Sequence, residues 1–92
     1  MTESEYRKNW NEKGYSFSTG SITLEKGVDQ ASHENKDELV VVVNGLIEFT
    51  VDDDTFTANC DTEIYIPAKA IHSISNIGSE VSVIYFGYRL TN

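Results

Sequence analysis

The sequence predicts an all-β domain, a sandwich or barrel of two facing antiparallel sheets. Three observations carry this. Short runs rich in Val, Ile, Thr, Tyr and Phe recur at roughly 8–12-residue spacing. Clusters of Gly, Asn, Asp and Ser punctuate them. The block Leu39-Val40-Val41-Val42-Val43 is apolar at both parities, as in a central strand covered on both faces.

Residues 1–14 are polar and mixed in charge, and form an N-terminal arm or a short helix. Tyr6 and Trp10 stand four apart, a helical spacing that would dock both rings on one side. The other reading is an extended arm laid over the sheet or over a partner subunit. Residues 15–92 form the single barrel domain. From Tyr15, alternation sets in: Tyr15, Phe17 and Thr19, then Ile22 and Leu24 after Gly20, ending at Gly27. Val28 to Ser32 is weakly strand-like, and Glu34 to Asp37 reads as a polar loop. Glu38 to Val43 is the clearest strand. Asn44-Gly45 reads as a two-residue hairpin turn, with Leu46 to Val51 returning in alternation. Asp52-Asp53-Asp54 is a solvated turn before Thr55 to Ala58; it lacks the glycine and bidentate glutamate of a calcium loop. Glu63 to Ile66 ends at Pro67, His72 to Asn76 follows a tight connection, and Val81 to Tyr88 is the last strand.

Composition narrows the function classes. The net charge is −8, from 15 acidic and 7 basic residues. That argues against nucleic acid, whose phosphates call for Lys and Arg, and against anionic membrane surfaces. One cysteine, Cys60, excludes an internal disulfide and reads as a small buried hydrophobe. No apolar run has the length of a membrane span, so a cytoplasmic protein with no membrane partner is expected. No Ser or Cys stands at a nucleophile-motif spacing from a His, and no glycine-rich phosphate loop is present.

The residues with metal-ligand chemistry at strand ends are His33, Glu38 and His72. If the faces bearing Glu38 and His72 line one interior, a buried carboxylate there needs a cation or a hydrogen-bonding partner. Two imidazoles and a carboxylate converging on one point can hold a divalent metal with open positions: Fe(II) typically, with Mn, Ni or Zn also suited. The plainer reading is a pair of partly buried, hydrogen-bonded histidines.

Residues Tyr15 to Tyr88 resemble a small single-domain cupin. Six residues separate Glu38 from Gly45, and four separate His33 from Glu38, as in the family's first motif. Ala31 then takes the place of the first histidine. In the other register, counted from Gly27, His33 is the first histidine and Asn35 replaces the second. Pro67, His72 and Asn76 match the second motif, with Asp61 and Lys69 where the family has glycine. Fifteen residues, Leu46 to Cys60, lie between the motifs. The resemblance implies a cupin jelly-roll β-barrel, or double-stranded β-helix. It also implies a divalent metal on His33, Glu38 and His72, and a small-molecule ligand in a pocket walled by Val40, Val42, Phe49, Ile74, Asn76 and Tyr85. Oxygenase- or isomerase-type chemistry is what such a metal site implies. The alternatives are a metal-free ligand-binding or sensing barrel, and a structural dimer. A homodimer is expected because the outward faces, assigned to Leu39, Val41 and Val43 and to Ile84 and Phe86, need cover. Lys69 needs a turn that avoids positive φ or accepts strain; its plainer reading is a solvated turn lysine, the other an ammonium at the barrel mouth that attracts an anionic group.

Overall fold

The computed structural model describes residues 1–24, 27–32 and 34–91, with 27–31 described by their backbone alone. Eight strands and one helix are found among them: α1 (Glu3–Glu12), β1 (Ser18–Ile22), β2 (Gly27–Ala31), β3 (Lys36–Val42), β4 (Ile47–Val51), β5 (Asp54–Ala58), β6 (Glu63–Ile66), β7 (His72–Asn76) and β8 (Ser82–Leu90). No described helix is long and apolar enough to cross a membrane. One antiparallel sheet has the order β1-β8-β3-β6, the other β2-β7-β4-β5. The chain therefore changes sheets at every connection except the β4–β5 hairpin, the mark of a jelly roll.

The expected hairpin at Asn44-Gly45 is a corner instead. β3 pairs with β6 and β8, while β4 pairs with β5 and β7, so the chain leaves one sheet for the other here. Gly45 supplies the positive φ, +86°, and Asn44 is not left-handed. The Asn44 side chain is used for stitching: it accepts from the Val83 amide at 2.7 Å and donates to the Val81 carbonyl at 3.0 Å. The true hairpin is the acidic turn, Asp52 taking a φ of 52°, a conformation that Asp tolerates better than most residues.

The core lies between the sheets. Val40, Val42, Ile47, Phe49, Ile64, Ile66, Ile74 and Ile84 interdigitate there, with Phe86 packed against them. Ile84 and Phe86 thus face inward, opposite to the expected outward assignment. The reason is parity: β8 carries large apolar residues at both parities, and a one-residue slip exchanges its faces.

A second cluster covers the outer face of the β1-β8-β3-β6 sheet. Tyr6 and Trp10 of α1, Tyr15, Leu39 and Val41 are buried there, with Phe17 and Tyr85 against them. The arm is a helix, as the Tyr6–Trp10 spacing suggests. Thr2 and Glu5 close its first turn in a reciprocal capping box. Trp10 Nε1 donates to Glu63 Oε1 at 2.7 Å and fixes the helix to β6. The cover for Leu39 and Val41 that sequence analysis assigns to a second copy is supplied by the chain itself. Gly87 makes this approach feasible: a Cβ there would collide with the Ser16 carbonyl and press on the Trp10 ring.

Candidate functional site

Glu38 sits on β3 and His72 opens β7, so the two belong to facing sheets. Both point into the interior. His72 Nε2 lies 3.6 Å from Glu38 Oε1, and the residues are only 3% and 4% exposed. Strand parity explains Glu38, which continues the inward series Val40 and Val42. The turn after Pro67 explains His72.

That turn is held from outside. Asp37, on the opposite face of β3 from Glu38, accepts from the Ala68 amide at 2.8 Å and from Arg89 Nη2 at 3.3 Å. The Ala68 amide foremost, with Arg89, holds the Asp37 carboxyl below the usual carboxylate range. Arg89 also stacks on the Tyr15 ring, 4.6 Å from its centroid. Lys69 takes a φ of +72° and Asp61 one of +63°. At both positions where the family pattern has glycine, this chain keeps the left-handed backbone with a non-glycine residue.

The imidazole is oriented as metal-binding histidines are. His72 Nδ1 lies 3.4 Å from the Ala70 carbonyl, a contact that favours the tautomer with its hydrogen on Nδ1. Nε2 is left toward Glu38. Burial pushes the Glu38 carboxyl up to about 7, with the neighbouring His72 opposing the rise.

Tyr88, not among the residues expected at the site, stands beside this pair. It stands in register opposite Glu38 on β8. Burial, then the Glu38 carboxylate, push its phenol above the ordinary value. Inward parity on β8, Ile84-Phe86-Tyr88, is the signal that would have found it. The expected pocket residue Tyr85 lies on the other face, 5.1 Å from the Phe17 ring and 5.8 Å from Tyr6. Val40, Val42, Phe49 and Ile74 are closely packed in the core beneath the pair. Asn76 is a fastener: its Nδ2 donates to the Ile22 and Glu80 carbonyls and its Oδ1 accepts from the Gly78 amide, each at 2.9 Å. It lies four residues along β7 from His72, roughly 13 Å. Cys60 is exposed.

Glu38 and His72 fit a divalent ion. Their separation is shorter than twice a typical bond of about 2.0–2.2 Å, so one ion can touch both. His33 lies outside the described residues. Among those described, no cluster of three or more His, Cys, Asp and Glu side chains suited to a metal occurs. Ala31 stands in register opposite His72. A groove of about 620 Å³, lined by Ser32, Glu34, Asn35, Lys69 and Ile71, is formed by the segments leading into Glu38 and His72.

The fold is widely shared. The Schizosaccharomyces pombe Cnp3 cupin domain superposes with a TM-score of 0.79 at 22% identity, over 86% of this chain and 58% of that one. A predicted oxalate decarboxylase from Thermotoga maritima gives 0.78 at 17% identity, over 90% and 73%. A putative sugar phosphate isomerase from Acidithiobacillus ferrooxidans gives 0.70 at 26%, over 84% and 51%. The chain thus spans less than two thirds of the first and third of these. No curated protein matches its sequence. The cupin-domain profile matches residues 20–88, three quarters of the length, and the chain belongs to the cupin-domain family.

Proposed function

We propose that this protein holds a divalent metal ion between Glu38 and His72, with His33 as a third ligand, and takes a small organic molecule at the adjoining groove. One observation carries the reading: a buried carboxylate and an imidazole from facing sheets converge at 3.6 Å. The Ala70 carbonyl favours the His72 tautomer with hydrogen on Nδ1, with Nε2 turned toward Glu38. Asp37 keeps the turn in place from behind. Glu38 gives up its proton on binding, so affinity rises with pH. A bound ion supplies Lewis acidity, or an oxygen-binding centre if it is iron, the basis of isomerase- or oxygenase-type reactions.

A second reading, a metal-free ligand-binding barrel, is favoured by Ala31, which leaves the family's first histidine position without a ligand. Metal analysis of protein purified without an affinity tag separates the two. The first reading expects bound Fe, Mn, Ni or Zn in wild type and its loss in His72→Ala. Protein that neither carries nor takes up these metals supports the second.

A further inference from the structure

The geometry points to Lys69 as the residue that selects ligand charge: the groove formed by the segments that lead into Glu38 and His72 takes a small molecule bearing an oxyanion, a carboxylate or a phosphate, held by Lys69. This rests on the reading that the ligand binds at this end of the barrel. Lys69 has a φ of +72°, a left-handed conformation in which an L-residue is strained and glycine is relaxed. The conformation is imposed. The Ala68 amide is tied to Asp37, and the Ala70 amide donates to the Pro67 carbonyl at 3.2 Å. The turn therefore delivers the lysine to a fixed place on the groove wall, beside Ser32 and Asn35. Among the described residues no ion pair neutralises it.

The chain carries a net charge of −8, so a cation at this groove is a local reversal of the molecule's field. Lys36 follows Asn35 of the groove wall in the chain, and its ammonium lies over the Tyr88 ring, with Nζ 5.7 Å from the centroid. Glu34 lines the same groove, which disfavours a second anionic group on its side and suits a hydroxyl donor. A hydroxy acid or a sugar phosphate has both features.

The test is calorimetric titration of wild type, Lys69→Gly and Lys69→Arg with lactate and glucose 6-phosphate, against their neutral counterparts lactamide and glucose. Glycine relaxes the turn, so Lys69→Gly folds. The expected result is binding of at least one oxyanion, weakened by added salt, with about a tenfold loss in Lys69→Gly and retention in Lys69→Arg. The acid and phosphate arms tell the two sources apart. Equal binding by Lys69→Gly, equal binding of the neutral counterparts, or no oxyanion binding at millimolar concentration would overturn the inference. Metal content is measured on the same preparations. Metal-free protein that still binds oxyanions through Lys69 sinks the metal reading alone. Metal-loaded protein whose oxyanion affinity ignores Lys69 sinks this inference alone.

Discussion

Glu38 Oε1 and His72 Nε2 approach to 3.6 Å inside the barrel, each carried by a different sheet. Packing of the two sheets therefore sets the site, and a change in either alters it.

The Glu38 carboxyl makes stability depend on pH in the metal-free protein. Its folded value, about 7, lies above the roughly 4.3 of an unfolded glutamate. Between these values the folded state holds more protons, so stability falls as pH rises through that window, by an amount on the order of 3 kcal/mol. Glu38→Gln is expected to flatten this slope in thermal melts of metal-free protein from pH 4.5 to 7.5. An unchanged slope would show that Glu38 ionises normally.

Asp37 acts in the opposite direction. Its pKa is depressed, so its contribution is present above the unfolded carboxylate value and is lost as pH falls through the folded one. Asp37→Ala removes the acceptor for Ala68 and Arg89. We expect a loss of about 2 kcal/mol at pH 7 in denaturant titrations, with weaker acid sensitivity and weaker metal binding as the turn before His72 loosens.

The left-handed lysine is a stability reserve. Lys69→Gly is expected to gain about 1 kcal/mol by relieving the backbone, roughly 4–8 °C in Tm. A lower Tm would mean that the lysine side chain contributes more than its conformation costs.

Gly87→Ala tests how α1 is seated. The added methyl meets the Ser16 carbonyl, and backbone cannot give way as a side-chain tip does. A loss of about 3 kcal/mol is expected, with increased Trp10 solvent exposure seen by fluorescence. A wild-type melt would contradict this packing.

Much of the fold is legible in the sequence. The valine block reads as a central strand because both faces of β3 are buried. Glu38 and His72 are legible because each carries metal-ligand chemistry at a strand end and because their spacing to Gly45 and Pro67 resembles the cupin motifs. The β8 faces are not: Val83 and Tyr85 alternate with Ile84 and Phe86, all large and apolar or aromatic, so alternation cannot say which pair faces inward, and Tyr85 reads as readily into the pocket as Tyr88. Asn44-Gly45 marks a turn but not whether the chain stays in its sheet. The helix is half legible: the Tyr6–Trp10 spacing suggests it, but the polar arm leaves an extended reading open, and the Thr2–Glu5 capping box that closes its first turn is a signal the spacing argument does not use. Asp37 reads as loop because its partners, Ala68 and Arg89, are distant in sequence.

Ala31 asks whether the absent histidine limits the site. Ala31→His, in register opposite His72, is expected to raise metal affinity on the order of tenfold or more in competition with a chelator. No gain would place the position away from the ion.

The central claim is tested most directly by titrating metal-free protein with Co(II), following visible absorption and proton release together. The account predicts uptake of a single ion at slightly acid pH, with release of the Glu38 proton, and loss of both signals in His72→Ala. Absence of uptake, or uptake that His72→Ala leaves unchanged, would contradict it.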